Sequence, residues 1–170
     1  MNPSDRAWRR GAWLCMAAVA GLAGCASFAP GGLPPGTPIS EARAAFFKPT
    51  GEYALPNGGT RLEFAQGSFG KQTYMLDFDA GGRLVSSQQV LTEENFASIE
   101  PGLGERELHM RLGRPAQVFN VPWQKLHVLN YRYFGGDCVW FQVSVSDVTR
   151  QVTDTGTGAD PACDGPNSRE

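Results

Sequence analysis

The sequence predicts an α+β fold made of two tandem repeats, each one or two short helices packed on a three-stranded antiparallel sheet. Three observations lead there. Two stretches align at a constant spacing. Each opens with apolar residues at helical spacing closed by a proline. Each then continues into runs that alternate apolar and polar residues between turn signals.

Gly36 to Pro49 and Gly102 to Pro115 match glycine to glycine and proline to proline at an offset of 66. Tyr53 with Phe119, and Pro56 with Pro122, keep the same spacing. Ala42/Phe46 and Leu108/Leu112 are i,i+4 pairs that suit one face of a short helix, and Pro49 and Pro115 stop those helices. Thr60 to Ala65 alternates, with Leu62 and Phe64 on one side; Gln72 to Phe78 aligns Tyr74, Leu76 and Phe78. Asp79-Ala80-Gly81-Gly82 is a turn signal, after which Arg83 to Val90 returns as a third strand. In the second half Lys125 to Tyr133, Cys138 to Val145 and Asp147 to Thr153 read as strands, with the turn Gly135-Gly136-Asp137. Glu93-Glu94 helps start a short helix in the connector. The expected organisation is a first repeat over 36–98, a second over 99–153, and a loose tail over 154–170 tied by Cys163. A unit of roughly 60 residues is marginal alone, so stacking is expected.

The first 24 residues read as an export signal rather than as fold. Arg6, Arg9 and Arg10 form a positive flank, and Gly11 to Gly24 is an apolar run of fourteen residues. That is shorter than the about 20 residues a membrane-spanning helix needs. The run ends in Leu22-Ala23-Gly24-Cys25, which resembles the lipobox of bacterial lipoproteins. The resemblance implies cleavage before Cys25 and a covalent diacylglycerol and N-acyl lipid (fatty chains such as palmitate) on that cysteine. Two or more chains anchor a protein stably. Ala26 rather than Asp follows the cysteine, which by the same resemblance implies the periplasmic face of the outer membrane. Residues 25–35 are rich in proline and glycine and read as a tether.

With Cys15 in the signal and Cys25 lipidated, Cys138 and Cys163 remain in an oxidising compartment. They either pair as a disulfide or stay as free thiols. A Cys-His metal site lacks ligands: only His109 and His127 exist, and there is no C-x-x-C. Without its first 24 residues the chain has 12 basic and 16 acidic residues, a net charge of −4. No basic stripe points to nucleic acid, and the charge does not favour adhesion to anionic headgroups.

Gly102…Glu107-Leu108-x-x-x-Leu112-Gly113-x-Pro115, then Phe119 and Asn130-Tyr131-Arg132-Tyr133, resembles the pattern of the SmpA/OmlA (BamE-like) lipoprotein family. Its unit of helices and three strands on a lipidated tether belongs to the outer-membrane β-barrel assembly machine. The tandem form also resembles the duplicated fold of the β-lactamase inhibitor protein. These resemblances imply a non-catalytic module bound to another envelope protein, in outer-membrane protein assembly or envelope integrity. The alternative is an inhibitor or ligand-binding module. No cofactor other than the lipid is expected.

Catalytic patterns are missing. No Ser or Cys sits in a nucleophile elbow, and His109 and His127 read as surface or rim residues. A pocket in which His and carboxylate groups converge would point to an enzyme instead. Asp77 and Asp79 read as turn-capping residues, since no calcium-loop spacing follows. The aromatics Trp123, Tyr131, Tyr133 and Trp140 are the candidate partner-binding residues. Trp140 and Phe141 are adjacent in a strand and must face opposite sides.

Overall fold

Each half of the chain folds into the same unit. The computed structural model describes residues 30–46, 48–135 and 138–163. Cys25 lies outside them, as do Phe47, the turn residues Gly136 and Asp137, and the export signal. The element order is α1 (Ile39–Ala45), β1 (Gly51–Ala54), β2 (Thr60–Ala65), β3 (Thr73–Phe78), β4 (Leu84–Gln89), α2 (Glu93–Ala97), α3 (Glu105–Leu112), β5 (Gln117–Val121), β6 (Leu126–Tyr131), β7 (Val139–Ser146) and β8 (Val152–Ala159). The strands form two antiparallel sheets of four, β1-β2-β3-β4 and β5-β6-β7-β8. The α+β class and the tandem repeat hold, with one strand more per sheet than the sequence pattern gives. The extra strands, β1 and β5, are edge strands with little burial.

The likeness of the halves extends to single hydrogen bonds. In the first, Gly36 N–H donates to Leu84 O, Ile39 N–H to Gly82 O, and Leu84 N–H to Thr37 O. In the second, Gly102 N–H donates to Val152 O, Glu105 N–H to Arg150 O, and Val152 N–H to Leu103 O. Leu62 pairs with Leu76, and Leu129 with Val143. A register shift falls between Asp77 and Phe78 in β3 and between Ser144 and Val145 in β7. Such bulges are specific features of a fold, so their recurrence at matching places supports a duplicated unit.

Alternation sorts each sheet into two faces. In the first sheet Leu62, Phe64, Leu76, Phe78 and Leu84 form a core with Ala42 of α1. The opposite face carries Glu63 and Met75, and it is covered by the second repeat: Met75 belongs to the larger core built from Leu108, Leu112, Leu129, Tyr131, Phe141 and Val143. Thus α2 and α3 lie between the sheets. Thr92 caps α2, its side chain accepting from Asn95 N–H at 3.3 Å.

Two segments differ from their expected form. The stretch read as a loose tail begins inside β8, which runs to Ala159, because Thr155 and Thr157 pair with Val143 and Phe141 of β7. The end of the tether is packed: Leu33 lies against the first core and Pro30 O accepts from Ser87 Oγ at 3.2 Å. Cys138 and Cys163 form a disulfide with Cα atoms 5.5 Å apart. Asp160, whose N–H donates to Cys138 O and whose carbonyl accepts from Cys163 N–H, is held by Arg132, whose Nη2 donates to Oδ1 at 2.7 Å. Arg132 also lies over the Trp140 ring, 4.9 Å from its centroid.

Candidate functional site

The junction of the repeats is polar at its centre. Glu63 is fully buried and accepts hydrogen bonds from Thr50 Oγ1 at 2.7 Å, Tyr53 Oη at 2.7 Å and Arg114 N–H at 3.0 Å. Burial, and then the bond to Glu63, holds the Tyr53 hydroxyl pKa well above the usual phenol range. Arg61 pairs with Asp77 through Nε at 2.6 Å and donates from Nη1 to Met110 O at 2.7 Å. Gly113 ends α3 with φ 77, and a β-carbon there would sit 2.7 Å from Thr73 Cγ2 and 3.0 Å from Glu63 Cδ. Only glycine suits both the left-handed backbone and the close approach.

Beside this junction lies an open cleft of about 490 Å³, lined among others by Tyr53, Glu105, Arg106, His109, Arg114 and Arg150. A second hollow of about 340 Å³ shares Glu105, His109, Arg114 and Arg150 and adds His127 and Asp147. Both histidines of the chain therefore converge on one carboxylate. His127 Nε2 is 3.3 Å from Glu105 Oε1, and His109 Nε2 is 3.8 Å from it. Each ring is oriented from behind: His127 Nδ1 donates to Asp147 Oδ1 at 2.7 Å, and His109 Nδ1 to Gly113 O at 3.1 Å. Arg150 Nη2 lies 2.6 Å from Glu105 Oε2. That contact is one of charge alone, since no aligned hydrogen bond reaches this buried oxygen. Among the described residues no cluster of three His, Cys, Asp or Glu has metal-binding form.

The first repeat serves as an internal control. Where the second repeat has Glu105, the first has Ile39, packed against the core. Where the second has Arg150, the first has Gly82, and Ile39 Cγ2 would lie 3.4 Å from a β-carbon there. Both positions are left-handed, with φ 71 at Gly82 and φ 55 at Arg150. Thr60 stands where the second repeat has His127. So where the first repeat sets an apolar contact under a glycine, the second sets a mostly buried carboxylate, its side chain 12% exposed, under an arginine. A left-handed non-glycine residue costs about 1 kcal/mol or more, and a buried charge adds desolvation. Stability alone does not explain the exchange.

The sequence reading placed both histidines on the surface or rim; His127 is in fact 5% exposed. The signal was present, since His127, Leu129 and Tyr131 alternate onto the inward face of β6. Glu105, Arg106, Arg114, Asp147 and Arg150 were not singled out. A position-by-position comparison of the halves would have marked Glu105 and Arg150. Asp79 does cap its turn, Oδ1 accepting from Gly81 N–H and Arg83 N–H at 2.9 Å, whereas Asp77 is committed to Arg61.

The aromatic candidates separate. Tyr131, Tyr133 and Trp140 are 0%, 6% and 1% exposed, and only Trp123, at 81%, projects into solvent. Phe141 stacks on Phe96 in the core at 4.3 Å between centroids, while Trp140 faces the other side and is covered by Arg132 and the edge of Phe119. An aromatic contact surface in this region therefore centres on Trp123, with Val118 and Phe119 partly exposed on β5.

No protein-family profile matches the chain, and no curated protein matches it. Among solved structures, a similar chain is a cysteine-rich secretory protein from Staphylococcus aureus subsp. aureus Mu50, at 14% identity and a TM-score of 0.28. The match covers 75% of this chain but 45% of that one, so this chain spans less than half of its length. The resemblance to the SmpA/OmlA family and to the duplicated inhibitor fold is accordingly withdrawn. Its motif has a local cause instead. Leu112 fills the core, Gly113 lets α3 close against β2 and β3, and Arg114 N–H donates to Glu63. The four-stranded sheets also depart from the three-stranded unit that the resemblance implied.

Proposed function

We propose that this chain is a lipid-anchored protein of the bacterial envelope that acts by binding another envelope protein in the charged cleft between its repeats, without catalysis. The observation that carries the reading is the exchange of Ile39, Thr60 and Gly82 in one repeat for Glu105, His127 and Arg150 in the other. Charges that one copy of a duplicated scaffold carries and the other lacks, at a cost in strain and desolvation, point to a site. The envelope is supported by Leu22-Ala23-Gly24-Cys25 with its apolar run, and by the Cys138–Cys163 disulfide, which belongs to an oxidising space. No helix among the described residues is long and apolar enough to cross a membrane.

Binding is preferred over catalysis because, among the described residues, no Ser or Cys lines the cleft, and its hydroxyls at Thr50 and Tyr53 are committed to Glu63. A second reading, acid–base catalysis by His127 oriented by Asp147, draws on the convergence of the histidines. It is weaker because Nε2 of His127 faces Glu105 rather than the open cleft. The test is a photocrosslinking residue placed at Asn120, an exposed residue lining the second hollow, in living cells, with Val85, an exposed position on β4, as control. Discrete protein adducts from position 120 that are absent from position 85 support the reading. The same background at both sites contradicts it. The intact mass of the mature protein reports the lipid on Cys25 in the same preparation.

A further inference from the structure

The cleft has a sign as well as a shape. It is lined by three arginines, Arg106, Arg114 and Arg150, against a single carboxylate, Glu105, in a chain whose formal charge is −2. Glu105 already faces Arg150 and the two histidines. Among the described residues, Arg106 and Arg114 form no ion pair. Their forked donors are thus left pointing at solvent beside a cavity, the geometry that favours bidentate capture of a carboxylate.

We infer that the occupant of this cleft is an acidic peptide segment, its Asp or Glu carboxylates taken by Arg106 and Arg114 while Arg150 turns from Glu105 to a further anionic group. This deepens the proposed binding role of the same cleft and rests on it. Two observations favour a peptide over a phosphate-bearing ligand. Arg150 is 60% exposed and covers Glu105 Oε2, an oxygen that lacks a hydrogen bond. When Arg150 turns away, that oxygen needs a donor, which a peptide N–H supplies and the dianion of a phosphate ester, with no O–H, does not. Glu105 on the cleft wall also repels a dianion more than a single carboxylate. The first repeat cannot act in the same way, since Ile39 and Gly82 stand where Glu105 and Arg150 do.

The test uses the full-length lipidated protein in detergent and isothermal titration calorimetry with three probes: a hexa-glutamate peptide, its hexa-glutamine analogue and inorganic phosphate. The expected result is saturable binding of the glutamate peptide alone, weakening as salt rises. Arg106→Gln with Arg114→Gln is expected to weaken it at least about tenfold, as the loss of two charge-assisted contacts demands. Arg83→Gln, an exposed arginine of the first repeat, serves as control and is expected to leave it unchanged. Equal affinity in the double variant overturns the inference, and so does phosphate binding more tightly than the peptide. Crosslinks from position 120 that persist while the peptide fails to bind would overturn the acidic-peptide class and leave the cleft's binding role standing.

Discussion

Glu63 shows how much one side chain holds together. It sits on a strand of the first repeat yet is satisfied by groups from both: Thr50 and Tyr53 on one side, the amide of Arg114 on the other. Replacing it with Ala removes the shared acceptor of three part-buried hydrogen bonds, at roughly 1–3 kcal/mol for the first and less than additively after that. A loss of about 3 kcal/mol in urea unfolding of Glu63→Ala is expected. A change under about 0.5 kcal/mol would show that the network has no weight. Asp160 gives the pH dependence. Its hydrogen bonds to Arg132 hold its carboxyl below the usual range, against the opposing effect of burial. A carboxyl with a depressed folded pKa stabilises the protein fully above its unfolded value, near 3.9, and that contribution disappears as pH falls through the folded value. Unfolding free energy is therefore expected to fall below about pH 4, and the fall should be smaller in Asp160→Asn.

Residues of this kind were only partly legible in the sequence. The core positions were, because alternation alone assigns Leu62, Phe64, Leu76 and Phe78 to one face. Glu63 and Asp160 were not, because a polar residue in a strand reads as solvent-facing until a second layer is known to cover that face. Trp140 misled for the same reason: its side of the second sheet is closed by Arg132, a long side chain whose position depends on Asp160 far along the chain.

At the level of elements, the sheets were easier to foresee than their edges. β1 is only four residues long and β5 sets Val118 beside Phe119, so both escaped the period-two signal, while the strand expected at Asp147 to Thr153 lies later, at β8, because Thr and Gly alternate over 153–158 without apolar content. What holds β8 is pairing to β7 and the disulfide beyond it. The bridge closes a loop with a sequence separation of 25, for which chain entropy gives about 3 kcal/mol. Reduction, or Cys138→Ser with Cys163→Ser, should lower the melting temperature by several degrees without changing the secondary-structure spectrum. An unchanged melting temperature would show that pairing alone secures β8.

Seen whole, the molecule is two copies of one unit that cannot part. The first sheet's second face carries Met75 and Glu63, both covered by the second repeat. Unfolding should then be a single cooperative transition, with fluorescence of the tryptophans, which among the described residues lie in the second repeat, and circular dichroism coinciding. Two separable transitions would mean that the repeats are independent domains.

The copies differ where the second carries charge, and on the proposed reading this charge serves binding at the expense of stability. The most direct test returns the second repeat to the residues of the first: Glu105→Ile, His127→Thr and Arg150→Gly in one chain. Thermal unfolding decides it. Removing a mostly buried charge and a left-handed arginine should leave the melting temperature equal or higher while crosslinking from position 120 is lost. A protein that melts far below the wild type would contradict the account, because the cluster would then be part of what holds the fold together.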